Sequence, residues 1–258
     1  MKHTPKKSLG QNFLSDPDFV RACIAAIQPK ADDVMAEIGP GLGALTKPLT
    51  DILKHLHAVE LDRDIIAWMH THYPADKITI HHSDALKFDF SAIGAAVGKS
   101  LRVVGNLPYN ISTPILFHLL EQSQNIVDMH FMLQKEVVER MVAQPSTPEY
   151  GRLSVMLQYR LHMEYLFTVP AEAFDPAPKV ESAFVRAIPY AILPNPARDE
   201  QLFAKIVVAA FGQRRKTLRN TLKAWMTDPD FVTLQIDPQL RAENLGVAEF
   251  VAIANHLA

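Results

Sequence analysis

At 258 residues, 48% of them apolar and 21% charged, the chain is long enough for a sizeable core and one or two globular domains, and its net charge of −2 excludes a uniformly basic nucleic-acid binder. The single cysteine, Cys23, excludes an intrachain disulfide and any multi-cysteine zinc or iron–sulfur site, so a reducing, cytoplasmic setting is expected. No apolar run approaches the roughly 18 residues of a membrane span and no apolar stretch follows the basic start, so neither export nor membrane insertion is expected.

Residues 1–15 carry Lys2, Lys6 and Lys7 with no acid. Within them Gly10-Gln11-Asn12-Phe13-Leu14 reads as a short arm ahead of an amphipathic helix that begins near Asp16-Pro17. Asp16 is its expected N-cap, and Pro17 sits at the first helical position. A buried strand is expected over 34–38. It runs straight into Gly39-Pro40-Gly41-Leu42-Gly43, and a helical pattern follows through Leu45, Leu49, Ile52 and Leu53. Pro48 must lie in that helix's first turn, which starts it near Thr46.

Strand, glycine turn and helix form the geometry in which a backbone approaches a nucleotide-like ligand. Glycine permits a positive φ and leaves no Cβ in the way, and the helix start offers unpaired N–H groups. Gly39-x-Gly41-x-x-Ala44, with Glu60 21 residues after Gly39, fits a dinucleotide fingerprint. The same glycines fit the looser loop of S-adenosylmethionine (SAM) methyltransferases, and a glycine turn that binds nothing is a third reading. This segment leaves all three open.

Further strands are expected at 56–60, ending on Glu60; at 78–81, closing at Ser83-Asp84; at 101–104, closing at Gly105-Asn106; and at 127–133, leading into a helix over 135–142. Strands alternating with helices predict an α/β fold with a doubly wound, mostly parallel, Rossmann-like sheet. Ligands of such sheets sit beyond the carboxyl ends of the strands, where Gly39, Glu60, Asp84 and Asn106 all fall. Residues 153–169 form a largely apolar segment, Phe174 to Lys179 a proline-stiffened loop, and 182–188 alternates like a strand. Pro189, Pro194 and Pro196 then place a domain boundary at about 190–197. The expected division is 1–192 as a catalytic domain and 193–258 as a small all-α domain.

Residues 201–227 carry Lys205, Arg214, Arg215, Lys216, Arg219 and Lys223, again with no acid. An otherwise acidic body with such concentrated basic stretches suits local phosphate binding. The eleven histidines, His55-x-His57 and His81-His82 among them, show no ligand spacing, and no metal is expected.

Asn106-Leu107-Pro108-Tyr109, directly after a strand, carries the most specific chemistry. An exocyclic adenine amine is a poor nucleophile because its lone pair is delocalised into the ring. A site that alkylates it must draw the two N–H bonds out of the ring plane with acceptors. The Asn106 amide oxygen and the Leu107 carbonyl are suited to that, Pro108 fixes the backbone, and Tyr109 offers a face for the base. A dehydrogenase has no use for this arrangement.

Four segments together resemble the SAM-dependent ribosomal RNA adenine N6-dimethyltransferases: Gln11-Asn12-Phe13-Leu14, Glu37 to Gly43, Asn106 to Thr113 and Phe174 to Ser182. The segment Phe211 to Leu222 is similar to the C-terminal domain of that family's small-subunit branch. The likeness covers nearly the whole chain. It implies SAM as cofactor and, as substrate, small-subunit (16S) rRNA within a pre-30S particle, with a monomeric cytoplasmic enzyme dimethylating two adjacent adenosines near the 3′ end. By the same resemblance Asn12 and Leu14 border the cofactor pocket, Gly39 approaches its methionine end, Gly41 also binds the cofactor, Glu60 accepts the ribose hydroxyls and Asp84 the cofactor's adenine amine. Asn106 touches the cofactor and orients the substrate amine, while Tyr109 and Phe174 sandwich the target base. Arg214, Arg215, Lys216, Arg219 and Lys179 are expected on the RNA. Three rivals stand beside this reading: the family's large-subunit-directed branch, an RNA-binding assembly factor that keeps the fold without the chemistry, and a nicotinamide enzyme.

Overall fold

The computed structural model describes Lys6 and residues 10–258; Lys2 and Lys7 lie outside the described residues. A seven-stranded sheet forms from β2 (Val34–Ile38), β3 (Leu56–Glu60), β4 (Ile78–His82), β5 (Leu101–Asn106), β6 (Ile126–Gln134), β7 (Leu161–Val169) and β9 (Ser182–Pro189), in the order β4-β3-β2-β5-β6-β9-β7. A separate two-stranded pair joins β1 (Phe13–Leu14) to β8 (Phe174–Asp175). The first five strands of the sheet order are parallel and β9 runs antiparallel to β6. The sheet is doubly wound and mostly parallel, as the alternating pattern predicts.

From β2 the chain winds outward through β3 and β4, then returns to lay β5 on the other side of β2. Neighbouring strands whose connections leave in opposite directions open a crevice at their carboxyl ends. β2 and β5 are that pair, with Glu37 in register with Val104. The crevice therefore lies between Gly39 and Asn106. At the opposite, amino ends, Arg102 closes the sheet: Nε lies 2.8 Å from Asp128 Oδ1 and Nη1 2.7 Å from Asp33 Oδ2. The guanidinium is largely buried and every carboxylate beside it is matched, the condition under which a buried ion pair is tolerated.

Local chemistry sets the helices. In α1 (Pro17–Ile27) the Asp16 carboxylate accepts the Asp18 N–H at 2.8 Å, with Pro17 at the first position. In α2 (Thr46–Ile52) Pro48 falls in the first turn, where no N–H is required of it. α3 (Arg63–His72) is capped by Asp62; α4 (Ser91–Val97), α5 (Ser112–Glu121), α6 (Lys135–Val142) and α7 (Arg152–Gln158) follow. The C-terminal helices are α8 (Glu200–Phe211), α9 (Leu218–Thr221), α10 (Asp228–Leu234) and α11 (Val247–Leu257).

Two compact units emerge: one runs to Val138 and resumes over Glu164–Pro189, the other holds Glu139–Met163 and Tyr190–Ala258. The helical unit thus takes residues 139–163 as well as those beyond the proline-rich stretch at 189–196. The reason is packing. Val155 and Tyr159, on and just after α7, are buried in one cluster with Phe203, Ile206, Leu218, Phe231 and Phe250, and the Tyr159 and Phe203 rings lie 4.6 Å apart. The apolar segment 153–169 likewise divides, into α7 and β7.

Candidate active site

At the carboxyl ends of β2 to β5 the sheet unit holds a cavity of about 300 Å³. Its floor and walls come from the loops after those strands, and the arm at Gly10–Leu14 contributes a further wall. Gly39 and Gly41 adopt φ of +64° and +54°. A Cβ on Gly39 would meet only the Asn106 carbonyl, 3.9 Å away, so the space before it is open to a ligand. A Cβ on Gly41 would come within 2.8 Å of the Phe13 ring. Gly41 therefore serves the close seating of the arm on the loop.

The acids at the strand ends are held by backbone. Glu60 is 8% exposed, and its Oε1 accepts the N–H groups of Leu61 and Asp62, both at 2.8 Å. Burial raises its carboxyl above the ordinary range, a shift that these N–H groups and that of Gly41 oppose. Asp84 lines the cavity while its Oδ1 caps the turn at Ala85–Lys87 through the Leu86 N–H, at 3.0 Å. Its other oxygen takes no hydrogen bond from any described residue. Capping and ligand contact are thus compatible at this carboxylate.

The Asn106 side chain is oriented from across the chain. Its Nδ2 donates to the Asn12 carbonyl at 2.8 Å, which turns Oδ1 the other way. The Leu107 N–H donates to the Met132 carbonyl at 3.1 Å, fixing the peptide beside it. No described residue donates to Asn106 Oδ1 or to the Leu107 carbonyl, and both residues line the cavity. Pro108 and Tyr109 line it too. The Tyr109 hydroxyl is 2.7 Å from Ser182 Oγ, and burial raises its phenol, keeping it neutral.

Asn12, Leu14, Gly39, Gly41, Glu60, Asp84, Asn106, Leu107, Pro108 and Tyr109 thus meet around one cavity. Phe174 does not join them. It is 4% exposed and packs with Leu14, Val169, Ala173 and Phe184, so its expected place opposite Tyr109 is corrected here to the core. β8 carries it, and pairing with β1 (Leu14 opposite Phe174) points the ring inward. Lys179, Arg215 and Lys216 are exposed and pair with no acid among the described residues. Arg214 donates to the Pro148 carbonyl and Arg219 lies 3.0 Å from Asp228.

Two supporting residues fall outside the readings made from sequence. Ser182, fully buried, holds Tyr109 from 73 residues away; its only sequence signal is its place at the end of the proline-loop motif. Asp62, 2% exposed, accepts Lys6 Nζ at 2.6 Å and Gln11 Nε2 at 2.9 Å, latching the arm beside Glu60. An acid two residues past the strand end, opening a helix, is a cap signal that serves both purposes. Among the described residues no group of three or more His, Cys, Asp or Glu side chains could hold a metal; the His57 and His81 rings share a hydrogen bond instead.

A glycine-floored crevice with acids at successive strand ends, closed by two unclaimed acceptors beside an aromatic ring, defines a nucleotide-cofactor methyltransferase acting on an aromatic amine. The family described as "Ribosomal RNA adenine dimethylase" matches residues 2–258. "Ribosomal RNA small subunit methyltransferase A" of Methylobacillus flagellatus is 69% identical over 258 residues, all of both chains, and the protein of that name from Thiobacillus denitrificans is 62% identical over 256 residues, 99% of each. Among solved structures, a dimethyladenosine transferase from Plasmodium falciparum superposes with a TM-score of 0.78 at 24% identity, covering 93% of this chain and 95% of that one. The 23S rRNA methyltransferase ErmE gives 0.75 at 19%, covering 95% and 99%. Both confirm the fold. The chain belongs to the ribosomal RNA adenine dimethylase family and is a SAM-dependent rRNA adenine dimethyltransferase.

Proposed function

We propose that this enzyme dimethylates N6 of two adjacent adenosines near the 3′ end of small-subunit (16S) rRNA, acting as a cytoplasmic monomer on a pre-30S particle. The names of its full-length relatives favour the small subunit. One observation carries the chemistry: the Asn106 amide is held by Asn12, so that Oδ1 and the neighbouring Leu107 carbonyl are left as a pair of acceptors at the cavity.

When bound, SAM supplies an electrophilic methyl group. Gly39 would give its chain room, with Gly41 beside it on the loop, the Glu60 carboxylate would accept the ribose diol, and Asp84 would accept its adenine amine. Asn12 and Leu14 close the pocket from the arm. On the substrate side, Asn106 Oδ1 and the Leu107 carbonyl accept the two N6 hydrogens and turn the nitrogen lone pair toward the cavity. Pro108 keeps that carbonyl in place. Tyr109 stacks on a base that must leave its own stack to arrive. Neither acceptor is basic enough to keep the proton, which leaves to water after transfer. Catalysis by these residues is positioning and polar complementarity. The sheet unit carries this work, and the basic segment Arg214–Arg219 with Lys179 holds the RNA backbone.

Mass spectrometry of rRNA from cells lacking the protein, before and after treatment of their subunits with enzyme and SAM, tests the assignment. Dimethyladenosine should appear on the small subunit alone. Its appearance on the large subunit instead would overturn the proposed substrate.

A further inference from the structure

Trp225 stands at the tip of a tight turn in the helical unit. The N–H groups of Trp225 and Met226 both donate to the Leu222 carbonyl, at 2.8 and 2.9 Å. Leu222 and Met226 are buried and anchor the two ends of this turn in the core. Between them Lys223, Ala224 and Trp225 all face solvent, with Trp225 37% exposed. The chain's other tryptophan, Trp68, is packed against the core and stacks on His72 at 4.2 Å. Leaving more than a third of so large an apolar ring open to water forgoes part of the gain of burying it.

The sequence leading into the turn is cationic, while Asp228 and Asp230, which follow it, are matched by Arg219 and His256. Arg215, Lys216 and Lys223 are exposed and pair with no acid among the described residues, and 201–227 contains no carboxylate at all. A protein partner would have to strip water from these unmatched cations, which apolar interface cores avoid. A polyanion with flat aromatic faces suits both features at once. Duplex RNA hides those faces within its stack, so only an unpaired base can offer one.

We infer that Trp225 is a stacking platform for an unpaired base of the bound RNA, with Lys223 on the adjoining phosphate. The inference rests on the RNA-binding reading of the basic segment. It adds a preference for single-stranded elements that charge alone does not supply.

In a Trp68→Phe protein Trp225 is the sole tryptophan emitter. This protein is titrated with a short single-stranded RNA and with a hairpin duplex of equal charge, while binding is followed independently by anisotropy of labelled RNA. The single strand should quench Trp225 emission and the duplex should leave it nearly unmoved. Trp225→Ala should weaken single-strand binding about 5- to 150-fold with an unchanged salt slope, since no charge is lost, and Trp225→Phe should restore most of it. Saturated anisotropy with unmoved Trp225 emission would overturn the inference, leaving the basic segment's role intact. That role fails separately, if neutralising Arg214, Arg215 and Lys216 leaves the slope where it was.

Discussion

The two ends of the Asn106 amide have separate duties. Nδ2 is committed to the Asn12 carbonyl at 2.8 Å, and this fixes which way Oδ1 faces. Losing one placed polar group at a reacting centre costs about 10²–10³ in rate. Asn106→Ala should therefore lower single-turnover methylation of small subunits by about 10²-fold or more. Rapid-quench assays measure it, and turnover near wild type would remove Asn106 from the mechanism. The residue types of this site were readable in the sequence, because few other tasks call for an amide and a proline-fixed carbonyl directly after a parallel strand. What aims the amide was not readable, since Asn12 lies 94 residues away and acts through its backbone. Phe174 shows the same gap from the other side. A phenylalanine before a proline-rich loop reads alike whether its ring faces a base or, as here, Leu14 and Phe184.

At the scale of elements, each strand end bearing a functional group was legible from alternation with helices and from the turn residues that follow. β7 was not. Only Tyr159 and Arg160 separate it from α7, and a continuous apolar run fits a helix or a strand equally well. Its place beyond β9 depends on pairing over long range. The arm is the element whose role the structure adds most to. Lys6 Nζ reaches Asp62 at 2.6 Å and Asp64 at 2.7 Å, and Gln11 reaches Asp62 as well. Asp62→Asn keeps Oδ1 to cap α3 but removes the negative charge opposite Lys6 and turns an NH₂ toward Gln11 Nε2. SAM affinity should fall about tenfold, the loss of one charge-assisted hydrogen bond at the pocket wall. Calorimetry measures it, and an unchanged affinity would show that the latch does not serve the cofactor.

For the whole molecule, buried titrating groups set opposing pH dependences. Burial pushes Glu37 up to about 7, although Thr46 donates to its Oε2 at 2.6 Å. The native state keeps a proton there that the unfolded chain releases near 4.5. That contribution is full below pH 4.5 and is lost as pH rises toward 7, a change of about 3 kcal/mol. Burial holds His57 and His130 down at about 4, so their contribution is present above pH 6.5 and lost as pH falls toward 4. In Glu37→Gln this falling contribution is removed, and denaturant-measured stability should rise more steeply from pH 4.5 to 6.5 than in wild type. Parallel profiles would contradict this. The acidic body with a basic segment at 205–223 makes a second global prediction. Changing Arg214, Arg215 and Lys216 to Ala should weaken RNA binding and flatten its salt slope by about 0.7–0.9 for each phosphate no longer neutralised; a binding titration over salt concentration checks it.

The most direct measurement is a crystal structure of the enzyme with a non-reactive SAM analogue and adenosine. The account predicts the analogue along Gly39, Glu60 and Asp84, and the adenosine N6 at hydrogen-bond distance, about 3 Å, from both Asn106 Oδ1 and the Leu107 carbonyl. An analogue bound away from the glycine loop, or an amine turned from those two oxygens, would contradict it.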